Sequence, residues 1–374
     1  MKLSILQENL ARGLNTASRS VATRAQLPVL SNVLLTTDKG RLKISATNLE
    51  TGINLWLGAK IEREGAVSIP AKILAEFVSS LPADKVELER KENKLLVACG
   101  SYQADFIGLP AGEFPTVPSL TGKANISFGG EALSLAVGQV AFAAATDEGR
   151  PVLTGVLITT KGSQLVLVAT DGYRLSIKKL KEVKGLEKVK EFKTGLIIPA
   201  RTLTEVARII SESEEKNLKL AITPKASQVI FALSEAEIVS RLIEGKFPDF
   251  ERIIPEKGKT RLTVETEELT RAVRIASIFA RESANIIRFN ISKTGFEISA
   301  NTAQVGANVS RVEAKTEGAE GKIAFNSRYL LDFLNSLGSN QVSFEMSGAL
   351  NPGVFTPVGD KSFLHIIMPV RVQE

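Results

Sequence analysis

The feature that most limits the folds open to this chain is an internal repeat. The segment from Leu27 to Thr37 recurs from Arg150 to Thr160, and a weaker third copy runs from Ile287 to Asn301. Each copy alternates apolar and polar residues around a turn, which is typical of two paired strands. A repeat of this length indicates similar structural units in tandem.

A second repeated element predicts helices. In each unit a short strand runs into Pro70, Pro199 or Asn326, which are good residues for opening a helix, and apolar residues then follow at helical spacing. The predicted helices cover residues 73–81, 202–210 and 329–337, and an earlier helix in each unit covers 8–21, 131–144 and 267–280.

Prolines in the segments 114–118 and 247–250 interrupt the strand pattern and mark the boundaries between units. The sequence therefore predicts an α+β fold of three repeated domains, 1–122, 123–253 and 254–374. Each domain has two helices against antiparallel sheets.

Composition excludes several classes of protein. No apolar run approaches the roughly 18 residues of a membrane span, and Lys2, Gln7 and Glu8 interrupt the start, so we expect a soluble protein that is not exported. Cys99 is the only cysteine and His365 the only histidine. A reducing cytoplasm is therefore expected, with no disulfide, no metal, no cofactor and no Ser-His catalysis.

The charge balance favours an anionic partner. The net charge is +6 and the pI is near 9.2, while aromatic residues make up only 6% of the chain. Because so few aromatic side chains argue against stacking on single strands, duplex DNA held by its phosphates is the better prediction.

Four motifs, in this order and spacing, resemble the bacterial sliding clamp family, the beta subunit of DNA polymerase III. They are Leu27–Asn32, Ala169–Leu175, Gly245–Phe250 and Met368–Arg371. The resemblance covers the whole chain. It implies DNA-clamp domains in a head-to-tail homodimer, a six-domain ring that slides on double-stranded DNA without reading its sequence. Such a ring is a processivity factor of DNA replication within the DNA polymerase III holoenzyme, and it catalyses no reaction.

Geometry agrees with a dimer. A domain of this size is roughly 35 Å across, so three domains in a ring leave a gap of about 5 Å and six leave about 35 Å. Duplex DNA, about 20 Å wide, passes only the larger hole. Two chains are therefore needed to enclose it.

A cation follows each helix-opening residue two positions later, at Lys72, Arg201 and Arg328. A cation in the first helical turn opposes the helix dipole, which suggests that it serves an anionic partner. Since these helices line the hole in the family, we predict that the three cations contact DNA, with Arg24 and Arg150 beside them. The contacts must be loose and blind to sequence.

The resemblance also implies a surface pocket for short linear peptides of DNA polymerases, the clamp loader and repair proteins. It would be an apolar cleft rimmed by arginines. Its residues would be Leu153, Thr170, Gly172, Tyr173, Arg174, Leu175, Pro248, Arg252, Ile253, Ile366, Met368, Pro369, Val370 and Arg371.

Ala104, Phe106, Ile278 and Phe279 match family positions at the dimer contact. The sequence departs from the family pattern in three places. Tyr173 stands where many members carry histidine, Ala104 is small where relatives often carry an aromatic residue, and 372–374 extend past the usual end. The first and last of these bear on peptide binding, and the second bears on the strength of the dimer.

Two other functions compete with this interpretation. A metal-dependent nuclease would need clustered carboxylates, whereas Asp147-Glu148 and Glu214-Glu215 are only adjacent pairs. A peptide-binding scaffold without a DNA role would keep the pocket but leave the three helix-opening cations unexplained. A phosphate-binding loop for ATP is absent from the sequence.

Overall fold

The computed structural model describes residues 1–22, 27–120, 126–181, 183, 185–186, 189, 191–213, 217–223, 227–256, 258–292, 295–302 and 306–371. These form two compact units, and the middle repeat contributes to both. The first unit is Met1–Gly130 with Ile209–Leu242, and the second is Glu131–Arg208 with Ile243–Glu374.

Helices and strands alternate along the described chain. The helices are α1 (Gln7–Ala17), α2 (Ala71–Ser80), α3 (Gly130–Val140), α4 (Glu191–Thr194), α5 (Ala200–Glu212), α6 (Thr266–Ala280) and α7 (Ser327–Asn335). The strands are β1 (Lys2–Leu6), β2 (Asn32–Asp38), β3 (Arg41–Thr47), β4 (Thr51–Gly58), β5 (Lys60–Arg63), β6 (Ala66–Pro70), β7 (Lys85–Lys91), β8 (Lys94–Cys99), β9 (Tyr102–Ile107), β10 (Ile126–Gly129), β11 (Gly155–Lys161), β12 (Gln164–Thr170), β13 (Arg174–Leu180), β14 (Leu196–Pro199), β15 (Asn217–Ile222), β16 (Gln228–Ala232), β17 (Ala236–Arg241), β18 (Thr260–Glu265), β19 (Ile286–Ser292), β20 (Gly295–Thr302), β21 (Gly306–Val312), β22 (Lys315–Gly318), β23 (Gly321–Asn326), β24 (Gln341–Met346), β25 (Gly353–Pro357) and β26 (Phe363–Ile367).

The second helix of each repeat begins where the sequence predicts. Helices α2, α5 and α7 start directly after Pro70, Pro199 and Asn326. The Asn326 side chain accepts a hydrogen bond from the backbone N–H of Arg328 at 2.9 Å, which satisfies a donor that the helix leaves free. The first helices, α1 and α3, end three or four residues earlier than predicted, and α3 passes into a 3-10 turn at Ala141–Ala143.

The first unit contains two antiparallel sheets, ordered β5-β1-β7-β8-β9 and β10-β15-β16-β17-β4-β3-β2-β6. Leu10 and Leu14 of α1 and Leu74 of α2 are fully buried. Gly13 brings α1 close to β4, since a Cβ there would lie 2.6 Å from Leu57 Cδ1.

The second unit contains a nine-stranded sheet, β14-β11-β12-β13-β26-β25-β24-β18-β22, and a four-stranded sheet, β21-β20-β19-β23, both antiparallel. Aromatic side chains fill much of the core between these sheets and helices α6 and α7. Neighbouring ring centroids lie 4.8 to 5.8 Å apart and many pairs meet edge to face, as in Phe289 with Phe325 and Phe344.

Two sheets continue from one repeat into the next. In the first unit β4 pairs with β17, and Ile53 lies opposite Ile238. In the second unit β13 pairs with β26, and Ser176 lies opposite His365. At the other ends of the repeat series, β9 and β21 are edge strands, with no partner among the described strands on their outer sides.

None of the helices in the described ranges is long and apolar enough to span a membrane.

Candidate functional site

The turn between β12 and β13 is held by its own side chains. The Thr170 hydroxyl donates to the carbonyl of Arg174 at 2.6 Å and accepts from the N–H of Gly172 at 3.1 Å, while Asp171 Oδ1 accepts from the N–H of Tyr173 at 2.8 Å. Gly172 has φ of +94°, which favours glycine. The turn presents Tyr173 to solvent, with 60% of its surface exposed.

The Arg174 side chain is an internal anchor and not part of an exposed rim, since only 10% of it is exposed. Its guanidinium donates to Asp171 at 3.1 Å, to Asp332 at 2.6 Å and to the carbonyl of Phe142 at 2.6 Å. It also lies 4.5 Å from the ring centroid of Tyr329. The turn is thereby fixed to α7, which carries Tyr329 and Asp332. Burial, followed by the charge of Asp171, raises the pKa of Tyr329.

The structure brings the predicted pocket segments together. Leu175 lies directly opposite Ile366 in the β13–β26 pair, and the N–H of Met368 donates to the carbonyl of Tyr173 at 2.8 Å. Ile253, on the segment after Pro248, packs against the same apolar cluster as Leu175 and Ile366. Residues far apart in sequence therefore form one surface of the second unit.

These residues differ in their accessibility to a ligand. Buried members form the floor: Leu153, Thr170, Leu175 and Ile366. Half-buried members form the walls: Arg174, Ile253, Met368, Pro369 and Val370. Exposed members form the rim: Gly172, Tyr173, Pro248, Arg252 and Arg371. Arg252 is paired with Asp249 at 2.7 Å, and 85% of its side chain is exposed.

The chain end is tied down as far as it is described. The N–H of Val370 donates to the carbonyl of Ala324 in β23 at 2.9 Å. Because backbone bonds hold both Met368 and Val370, removing the tail would disturb β23 and the turn at Tyr173 as well as the pocket. The extension 372–374 lies outside the described residues.

The single histidine lies beneath this surface, fully buried. His365 Nδ1 is 2.7 Å from the Ser176 hydroxyl, and its ring stacks on Phe333 with centroids 5.0 Å apart. Burial, and then the charge of Arg174, holds the pKa of His365 well below its usual range. The imidazole is thus neutral, and its role in the site is structural.

The three helix-opening cations occupy equivalent positions in the structure. Lys72, Arg201 and Arg328 are each the second residue of their helix, and all three are exposed. Within the described part of the chain, none of them forms an ion pair with a carboxylate. Arg24 lies outside the described residues. Arg150 is exposed, and its Nη1 is 3.1 Å from the position of a Cβ on Gly172, which places it beside the turn.

The predicted dimer residues divide between core and surface. Phe106 is 9% exposed and meets Phe77 edge to face at 5.5 Å, and Phe279 packs against the core of the second unit. Ala104 is half-buried on edge strand β9, whereas Ile278 is 51% exposed on α6.

Sequence reasoning missed several residues that support these surfaces. Phe142, Tyr329 and Asp332 hold Arg174, and no motif marks them because they meet only in the folded chain. Tyr102, Ile107 and Val309 are large exposed apolar residues on the edge strands β9 and β21. The position of these strands at the two ends of the repeat series was the available signal.

Where the chain is described, no three His, Cys, Asp or Glu side chains come together in a group that could bind a metal ion.

Comparison with known proteins gives the same family across the whole chain. The DNA polymerase III beta subunit matches in three parts: the N-terminal domain at residues 1–118, the central domain at 129–249 and the C-terminal domain at 251–371. The beta sliding clamp of Synechocystis sp. is 31% identical over 390 residues, covering 100% of both chains.

Solved structures agree with this match. The DNA polymerase sliding clamp from Bacillus subtilis is 28% identical, with a TM-score of 0.90 and coverage of 100% of both chains. A sliding clamp from Bartonella birtlesii bound to griselimycin is 27% identical, with a TM-score of 0.91 and the same coverage.

Proposed function

Because the chain belongs to the DNA polymerase III beta subunit family, we propose that it encircles duplex DNA as a head-to-tail dimer and tethers DNA polymerases there. It is a sliding clamp and processivity factor, not an enzyme, and it acts in DNA replication in the cytoplasm. Its three clamp domains comprise residues 1–122, 123–253 and 254–374.

One observation carries the ring: sheets continue between repeats, and the series ends in two unpaired edges. Strand β4 of the first repeat pairs with β17 of the second, and β13 of the second pairs with β26 of the third. The equivalent strand of the third repeat is β21, and the equivalent of β17 and β26 in the first is β9. Exposed edges tend to pair, so β21 joins β9 of a second chain, and two such junctions close the ring.

The repeat also supplies the register of that junction. Asn308 on β21 is equivalent to Ile53 on β4 and Ser176 on β13, and Ala104 on β9 is equivalent to Ile238 and His365. These equivalences follow from the hairpin pairs Ala300↔Asn308, Ala46↔Ile53 and Ala169↔Ser176, and from Val97↔Ala104, Phe231↔Ile238 and Phe355↔His365. Ala104 therefore lies opposite Asn308 of the partner subunit.

Exposed apolar side chains support this junction. Ile107 on β9 is 73% exposed and Val309 on β21 is 61% exposed. Ile278 on α6 adds a third such residue in the second unit. Pairing the two edges buries these side chains as well as the backbone groups, which gives the dimer both hydrogen bonds and apolar contact.

Cysteine cross-linking tests the register. Residues directly opposite in an antiparallel pair have Cα atoms about 4.5 to 5.5 Å apart, within the range for a disulfide. The double variant Ala104→Cys, Asn308→Cys should form a covalent dimer under oxidation, whereas Ala104→Cys, Val309→Cys should not, because Val309 points to the opposite face. Cys99 gives little background, since it is 1% exposed and burial raises the pKa of its thiol.

The same variant tests encirclement. Oxidised protein loaded on nicked circular DNA should stay bound through a high-salt wash and leave when the DNA is cut once, because a closed ring slides off an end. If the oxidised dimer leaves intact circles and linear DNA at the same rate, the ring proposal is wrong.

Sliding requires weak contacts inside the ring. We assign these to Lys72, Arg201 and Arg328, which are exposed and lack carboxylate partners among the described residues. Arg24 and Arg150 complete the proposed set. Charges of this kind bind phosphates without reading sequence.

The surface around Tyr173, Pro248 and Met368 is the proposed peptide pocket, through which the clamp loader and repair proteins also bind. Its apolar floor and exposed rim suit a short peptide with hydrophobic anchors. Griselimycin, bound to the similar Bartonella birtlesii clamp, is a suitable competitor.

Fluorescence titration with a short peptide carrying Gln and a Leu-Phe pair tests the pocket. Changing the half-buried Met368 to Asp should abolish binding and leave retention on circular DNA intact. Changing the exposed Leu350 to Asp, away from the pocket residues in sequence, is the matched control. Peptide binding that survives in Met368→Asp would show that the peptide binds elsewhere.

A further inference from the structure

The sheet face that forms the pocket floor continues into a second groove of about 590 Å³, here called the flanking groove. Its floor includes Leu157, Val166 and Ile177, on neighbouring strands β11, β12 and β13. The segment from Gly245 to Ile254 crosses the same sheet face, and Pro248 lies on both the proposed pocket and the flanking groove. The two surfaces are therefore continuous within the second unit.

Lysines surround this apolar floor. Lys161, Lys179, Lys246 and Lys361 all line the flanking groove, together with two carboxylates, Asp249 and Glu251. Both carboxylates already have partners, because Glu251 pairs with Lys161 at 2.7 Å and Asp249 with Arg252 at 2.7 Å.

The remaining three lysines have no such partner. In the described ranges Lys179, Lys246 and Lys361 form no ion pair, and Lys246 and Lys361 are exposed. Uncompensated cations around an apolar cleft match a ligand that carries both acidic and apolar side chains.

We propose that the flanking groove binds an acidic, apolar segment that lies next to the clamp-binding motif in partner proteins. This inference rests on the proposed peptide pocket, because continuity at Pro248 lets one extended peptide occupy both surfaces. The volume of the groove lies in the range of ligand clefts, roughly 300 to 1,000 Å³. DNA fits the floor less well, since phosphates gain nothing from Leu157, Val166 and Ile177.

Extended peptides test the proposal on the full-length dimer. The core peptide with Gln and a Leu-Phe pair is compared with versions extended at either end by Asp-Leu-Asp-Leu-Asp, and with matched Asn-Leu-Asn-Leu-Asn extensions. Three exposed charge pairs together should tighten binding about fivefold for the acidic extension at one end. This gain should fall towards onefold in 0.5 M salt.

The lysine variant Lys179→Gln, Lys246→Gln, Lys361→Gln should remove the gain and leave binding of the core peptide unchanged. The control Lys39→Gln, Lys60→Gln, Lys91→Gln removes the same charge from exposed positions in the first unit and should keep the gain. A further variant, Ile254→Ser, changes an apolar groove residue that is 36% exposed and should weaken both kinds of extension, acidic and neutral.

Each outcome decides the matter. An equal loss in the lysine variant and in its control would show only a general charge effect and would overturn the proposal, as would acidic and neutral extensions that bind alike at both ends. A lysine variant that loses affinity for a short duplex but not for the extended peptide would make the groove a DNA contact. Failure of the core peptide itself to bind would instead refute the pocket.

Discussion

Replacing Arg174 by alanine should destabilise the second unit by about 3 kcal/mol. The side chain is 10% exposed, and its loss removes three hydrogen bonds, to Asp171, Asp332 and the carbonyl of Phe142. Asp332 is 44% exposed and regains water, so most of the cost comes from the buried Asp171 carboxylate and the Phe142 carbonyl. Hydrogen bonds to charged groups contribute about 1.5 to 3 kcal/mol each, and breaking a buried pair costs about 3 to 5 kcal/mol.

Thermal unfolding followed by far-UV circular dichroism measures this effect. For a unit of this size, about 3 kcal/mol corresponds to a fall in Tm of roughly 6 to 12 °C. Trp56 is the only tryptophan and lies in the first unit, so its fluorescence monitors that unit separately.

Arg252→Ala is the matched control, because it removes an equal charge from a side chain that is 85% exposed. Asp332→Asn should have an intermediate effect, since that partner is half exposed. If Arg174→Ala melts within about 1 °C of Arg252→Ala, Arg174 is not the anchor of the turn.

Three further predictions concern other parts of the molecule. Because the folded-state pKa of His365 is lowered, the unfolded chain binds the extra proton, so stability should fall as the pH drops below about 6.5, by about 1.4 kcal/mol at pH 5.5; urea unfolding of the protein and of His365→Gln checks this, and equal losses in both would assign the effect to other groups. The triple variant Lys72→Glu, Arg201→Glu, Arg328→Glu should leave circular DNA faster at low salt without a change in Tm, and unchanged retention would remove these residues from the DNA contact. Ile278→Asp should shift sedimentation from dimer to monomer, and an unaltered dimer would place Ile278 outside the interface.

The repeat made the fold predictable, and the reasons are local. A strand that ends in Pro70, Pro199 or Asn326 and continues with apolar residues at helical spacing specifies both the strand and the helix, so α2, α5 and α7 were confirmed within two residues at most of their ends. The ends of α1 and α3 were predicted too late, since apolar spacing continues through the residues that follow each helix. The short helix α4 has too few residues to give a period.

The site was predictable only in part. The resemblance placed Tyr173, Pro248 and Met368 on one surface, but sequence could not show that Arg174 is buried or that Phe106 contacts Phe77. Exposure depends on which elements pack over a residue, and those elements lie far away in sequence. The DNA, peptide and dimer roles of the named residues stay predictions.

The pairing of β13 with β26 has a consequence for biosynthesis. Ribosomes add about 5 to 20 residues per second, so Leu180 waits roughly 10 to 40 s for Phe363 to be made. During that time one edge of β13 lacks its partner in the nascent chain and is open to aggregation. Lys178 and Lys179 lie on this strand, and charged residues on an edge strand oppose unwanted pairing. In the finished fold Lys178 is neutralised by Asp360 at 2.8 Å, an acid supplied just ahead of β26. The lysine thus protects the open edge during translation and then helps to fasten the strand that closes it.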